Sequence, residues 1–154
     1  MQFTSMLSRR AAVVVAALVL AGCTSMGGPD SASVRLTGDQ EVPPVKVSGS
    51  GTGTITVGED KSVSARITTQ GVAGTAAHIH EAPAGSNGPV IVPMEKTGEN
   101  EWSTKGGAKL TDAQYESYKA GRLYFNVHTP QNKGGEVRGQ IRPAAGAASR
   151  SSGY

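Results

Sequence analysis

Thr52-Gly53-Thr54-Ile55-Thr56-Val57-Gly58-Glu59-Asp60-Lys61-Ser62-Val63-Ser64-Ala65-Arg66-Ile67-Thr68-Thr69 is the stretch that decides the fold. Thr52, Thr54 and Thr56 alternate with Gly53, Ile55 and Val57; beyond Gly58–Lys61, Val63, Ala65 and Ile67 alternate with Ser64, Arg66 and Thr68. Successive side chains of a strand point to opposite faces, so a period of two with one apolar face marks a half-buried strand. Two such runs about a short glycine-bearing turn predict a β-hairpin.

Working outward, the same grammar repeats. Further strands are predicted at Val34–Leu36, Thr75–His80, Val90–Met94, Glu101–Thr104, Arg122–His128 and Gly135–Ile141. Between them lie Glu41-Val42-Pro43-Pro44, Gly71 and Gly74, the loop Ala82–Pro89, and Thr129–Gly134. Proline cannot donate to a ladder and leaves regular strand structure. One helix is predicted at about Asp112–Ala120. Thr111 with Gln114 forms a capping box, and Gly121 provides the left-handed stop. About eight short antiparallel strands with one short helix predict an all-β sandwich or flattened barrel. Its expected core is Ile55, Val57, Val63, Ile67, Ile79, Phe125, Val127 and Ile141.

The chain has three histidines. His78 and His80 share one face of the strand ending in His78-Ile79-His80-Glu81, while Ile79 takes the other. In Leu123-Tyr124-Phe125-Asn126-Val127-His128 the same parity groups His128 with Asn126 and Tyr124. Neutral imidazole is the commonest protein metal ligand, and a three-histidine set suits copper or zinc. Histidines that bond backbone and pin loops would give the same pattern. Strand alternation alone does not bring the two strands together. Glu81, Asn126, Glu136 and Arg138 are candidates for orienting such ligands from behind. For Glu136 and Arg138, which share a strand face, a surface ion pair is the plainer reading.

The chain begins differently. Arg9 and Arg10 precede the apolar run Ala11–Leu20, and Leu20-Ala21-Gly22-Cys23 follows directly. Ten apolar residues fall short of the roughly 20 that a spanning helix needs. The pattern resembles a bacterial lipoprotein signal with its lipobox, and an ordinary signal peptide with a leftover thiol is the alternative. The resemblance implies cleavage before Cys23 and lipidation of its sulfur with diacylglycerol. Acylation of the new amino terminus, of the palmitate kind, usually follows. Thr24 stands where an inner-membrane retention signal would have Asp, which favours the outer membrane if the source is Gram-negative. The expected organisation is a signal over 1–22, a flexible tether over 23–33, one domain over 34–142 and a disordered tail over 143–154.

Removing 22 of the 154 residues leaves 132, enough for one domain. The formal charge of +3 falls to +1 once Arg9 and Arg10 are gone. No strong nucleic-acid footprint remains, and the expected partners are the membrane, through the lipid, and an envelope protein. The single cysteine excludes a disulfide within the chain.

Several stretches together resemble the CHRD domain, a module named from chordin and also found in bacterial extracytoplasmic proteins. They are Leu36-Thr37-Gly38-Asp39-Gln40-Glu41-Val42-Pro43-Pro44, Ala77-His78-Ile79-His80 with Gly85-Ser86-Asn87-Gly88-Pro89-Val90, Leu110-Thr111-Asp112-Ala113-Gln114, Tyr124-Phe125-Asn126-Val127-His128-Thr129 and Gly134-Gly135-Glu136-Val137-Arg138-Gly139-Gln140. The resemblance covers nearly the whole domain in order and implies a β-sandwich without an established reaction.

His78-Ile79-His80-Glu81 is also similar to the copper-binding strand of copper,zinc superoxide dismutase, an immunoglobulin-like barrel. That likeness implies His78, His80 and His128 as ligands on the outside of the sandwich. A dinuclear site would need histidines the chain lacks, and a lipidated Cys23 rules out a thiolate blue-copper centre. A mononuclear copper site of type-2 kind, or zinc, survives. Three expectations therefore stand: a metal-binding module, a structural or protein-interaction module without metal, and a redox enzyme using the copper. No triad or nucleophile-elbow signature accompanies them.

Overall fold

The computed structural model describes residues 30–143. The signal, Cys23, most of the tether and all but the first residue of the expected tail lie outside them. Eight strands form: β1 (Asp30–Thr37), β2 (Ser50–Val57), β3 (Val63–Gln70), β4 (Ala76–Glu81), β5 (Val90–Gly98), β6 (Glu101–Thr104), β7 (Leu123–His128) and β8 (Val137–Ile141). Among the described residues a single α-helix, α1, spans Asp112–Lys119, and a 3-10 turn at Gly38–Gln40 follows β1.

The opening hairpin forms as its alternation dictates, with Ser50 paired to Gln70 and Val57 to Val63. Gly58 and Ser62 close its turn, where Lys61 takes φ 64°. β1 adds to the outer side of β2, from Asp30 opposite Val57 to Thr37 opposite Ser50. It therefore begins at Asp30 and not at Val34. Residues 30–33, expected in the tether, pair with β2 and turn Ala32 inward.

All strand pairs are antiparallel, and the sheet closes in the order β1-β2-β3-β6-β5-β4-β7-β8. Of the expected sandwich or flattened barrel, the all-antiparallel sheet takes the barrel form and closes on itself. Thr37 pairs with Arg138, so β8 joins β1 where two facing sheets would have left open edges. Two connections skip neighbours, β3 to β4 and β6 to β7, the second carrying α1. They bring β4 beside β7 although more than forty residues separate them in the chain.

The barrel interior is apolar. Leu36, Ile55, Ile67, Ile79, Trp102, Leu123, Phe125, Val127 and Ile141 are at most 1% exposed. The other expected core residues, Val57 and Val63, are buried with them.

Thr111 caps α1 reciprocally: its hydroxyl accepts from Gln114 N–H at 3.2 Å, and Gln114 Oε1 accepts from Thr111 N–H at 2.9 Å. Gly121, at φ +67°, follows the helix. Tyr118 and Ser117 are the buried residues of α1.

β5 runs four residues past its expected end because Glu95–Gly98 pair with β6, although their exposed polar side chains give no inward signal. β8 starts two residues later than expected. Gly135 stands at φ +139°, outside the range of a strand, and Glu136 is drawn into the preceding loop.

Candidate metal centre

The outward face of β4, β7 and β8 is largely closed to water. Three loops cover it: residues 38–45 after β1, 82–89 after β4 and 129–136 after β7. Tyr124 and Arg138 are each 1% exposed, Asn126 2%, Glu41 5% and His80 7%. This is a second, polar layer outside the barrel wall, and it obeys the rule that buried polar groups find partners.

Adjacent register brings the histidines into this layer. β4 and β7 pair with His78 opposite Asn126, His80 opposite Tyr124 and Ala76 opposite His128, so His128 sits diagonally from His78. One ring nitrogen from each of His78, His80 and His128 lies within 4.8 Å of the other two. The closest approach is His78 Nδ1 to His128 Nε2, 3.0 Å. Tetrahedral or square coordination at about 2.0–2.1 Å asks for nitrogens roughly 3–3.5 Å apart.

Backbone carbonyls fix two of the three tautomers. His80 Nδ1 lies 3.0 Å from Gly88 O and His128 Nδ1 2.9 Å from Lys133 O. A carbonyl only accepts, so both Nδ1 atoms carry hydrogen and both Nε2 atoms present lone pairs. His80 Nε2 is buried and without a partner, an orphan that asks for an explanation. In the metal-free protein His78 Nδ1–H donates to His128 Nε2. With hydrogen on its Nε2 instead, His78 offers a third lone pair to the same place.

Burial, helped by neighbouring charge, disfavours the protonated forms of His78 and His80. Burial, then the His128 and His80 charges, pull the His78 pKa down to about 4. Burial also lowers His80, against the bond to Gly88 O, with His128 and Arg138 adding to the lowering. Neutral imidazole is the form that binds a metal.

Gly88 ties two residues together. Its carbonyl accepts from His80, and its N–H donates to Tyr124 Oη at 3.1 Å. It packs so tightly on β4 that a Cβ would fall 1.9 Å from Glu81 O, which leaves room only for glycine. The Tyr124 ring lies nearly parallel to His80 with centroids 4.9 Å apart, and the Arg138 guanidinium covers its other face at 3.6 Å. Arg138 also donates to Ser86 O at 2.9 Å, Asn87 Oδ1 at 3.3 Å, Pro83 O at 3.4 Å and Gln140 Oε1 at 3.0 Å. It clamps the loop whose Gly88 holds His80.

The other residues singled out in the sequence lie elsewhere. Glu81 accepts from Ser117 Oγ at 2.5 Å and anchors α1. Glu136 accepts from Thr129 Oγ1 at 2.7 Å and Asn132 Nδ2 at 3.0 Å, shaping the loop behind His128; it makes no ion pair with Arg138. Asn126 donates to Gly134 O at 3.3 Å and Glu41 Oε2 at 3.5 Å, and not to an imidazole.

Glu41 was not singled out in the sequence, where it reads as part of a proline-rich break. Its fold-back over β7 is set by distant contacts such as Asn87 Nδ2 donating to Val42 O, 2.7 Å. Burial pushes its carboxyl up to about 7, opposed by Arg138 and the Asn126 hydrogen bond. A folded-state value above the unfolded one means that the stability Glu41 contributes below pH 4.5 is lost as pH rises through 7. Glu41→Gln should therefore gain about 2–3 kcal/mol relative to the parent between pH 4.5 and 8. Chemical denaturation at the two pH values checks this, and a pH-independent difference would contradict the shift.

No curated protein sequence and no solved structure matches the chain. The likeness to superoxide dismutase thus remains one of a short motif, whose acidic residue here serves the helix. The family model of the CHRD domain, in contrast, matches residues 32–141, from β1 to the end of β8. That span holds seven whole strands and all but the first two residues of β1, the three histidines and the loops that orient them, and the chain belongs to the CHRD domain family.

Proposed function

We propose that this protein is an envelope-tethered CHRD lipoprotein that binds one copper or zinc ion through His78, His80 and His128. The observation that supports this reading is the convergence of three ring nitrogens within 4.8 Å, two of them oriented by backbone carbonyls. A bound ion would provide Lewis acidity, or in the case of copper a redox centre, with a position left for water or a small ligand. The chain's own residues keep His78 and His80 neutral, orient His80 and His128 through backbone carbonyls, and cover the site with the 82–89 loop.

Titration of the purified protein with copper(II), followed by electron paramagnetic resonance, tests the reading. It expects one ion per chain with nitrogen coupling, lost when all three histidines are alanine. Equal binding by that variant would end it. The competing role is loop pinning without metal, favoured by the bonds from His80 to Gly88 and from His128 to Lys133. Turnover assays on the copper-loaded protein test a redox activity.

The anchor is part of the same proposal. Cys23 follows its apolar run directly, and Cys23→Ser should release the protein from membranes or block its processing. A variant that stays bound with the normal mature mass would refute the anchor.

A further inference from the structure

Three imidazoles make a donor set without charge, and the cluster contains neither carboxylate nor thiolate. Beside it lies a permanent cation. The Arg138 guanidinium, 1% exposed, stacks 3.6 Å from the Tyr124 ring centre, and that ring stacks 4.9 Å from His80. A guanidinium stays protonated in proteins, so its field is always on. Arg138 itself faces one carboxylate, Glu41, and both are closed off from solvent by the covering loops.

Coulomb repulsion scales with the charge of the ion, so a dication in this site meets twice the opposition a monocation does. Resting on the metal-binding reading, we propose that the site is biased toward copper(I) and that the charge of Arg138 supplies the bias. Zinc(II) is the informative comparison. It has the same filled d shell as copper(I), so geometry preferences from d electrons drop out and the ratio of affinities reads charge.

The experiment measures copper(I) and zinc(II) dissociation constants by chelator competition, under anaerobic reducing conditions for copper. The parent, Arg138→Gln and Arg138→Lys are compared. Copper(I) is expected to bind the parent more tightly than zinc. Arg138→Gln should lower that preference about tenfold, while Arg138→Lys keeps it even if both ions bind more weakly. Lysine keeps the charge and loses the planar fork that clamps the 82–89 loop, so it separates charge from positioning.

An unchanged ratio in Arg138→Gln, or an equal fall in Arg138→Lys, would overturn the bias and leave the metal site standing. Should the glutamine variant not fold, the parent decides: zinc binding as tightly as copper(I) or more so overturns the proposal. If neither ion binds the parent, the metal-binding reading itself has failed.

Discussion

Phe125→Ala is expected to cost about 3–5 kcal/mol, the range for truncating a buried aromatic, and so a large part of a typical margin of about 5–15 kcal/mol. Phe125 is 0% exposed at the centre of β7, between its partners Ile79 on β4 and Gly139 on β8. Its ring also reaches across the barrel interior to β2. A Cβ built on Gly53 would come within 2.5–2.6 Å of two ring atoms, so the glycine is the hole that the phenylalanine fills. Removing the ring opens a void bordered by a residue with no side chain to move into it, and collapse cannot recover the loss. Urea denaturation of the variant checks the value. Thr54, exposed on β2 one residue from Gly53, is the control, and Thr54→Ala should change stability by less than about 0.5 kcal/mol.

The contrast between Phe125 and Asn126 shows how far the sequence could be read. Period-two alternation sorted the β2–β3 hairpin, β4 and β7 into an inward and an outward set, and the inward apolar residues lie in the barrel core. It could not say that the outward set of β4, β7 and β8 is buried too. That burial is made by loops, whose folding over the sheet depends on contacts such as Arg138 to the 82–89 carbonyls and Asn87 to Val42. Such contacts join residues some fifty apart, where local pattern carries no signal. The same reason hid Glu41 and separated Glu136 from Arg138. Closure of the sheet was equally out of reach, since it rests on one β1–β8 pairing. The histidine site was legible in part. Parity put each imidazole outward, and only the skipped connections made β4 and β7 neighbours.

The second large effect concerns His78, the proposed ligand with the least structural work. His80 is 7% exposed, bonded to Gly88 and stacked on Tyr124, so its removal would disturb the loop as well as the site. His128 pins Lys133. His78 has its one side-chain hydrogen bond to His128. His78→Ala should therefore weaken metal binding by about a hundredfold or more, reducing a three-histidine set to two, while the metal-free barrel remains folded. A second readout comes from the proton. With the folded-state pKa at about 4 and the unfolded one near 6.5, the unfolded chain binds more protons between these values, and acidification through that window destabilises the parent. Alanine has no such proton to take up. Relative to the parent, the variant should thus gain about 2 kcal/mol between pH 6.5 and pH 4, opposite in pH direction to the gain of Glu41→Gln. Denaturation across that range, beside zinc titration of the same samples, separates the two roles. Full metal affinity in His78→Ala would remove it from the ligand set, and a pH-independent stability difference would mean its ring is not held neutral by the site.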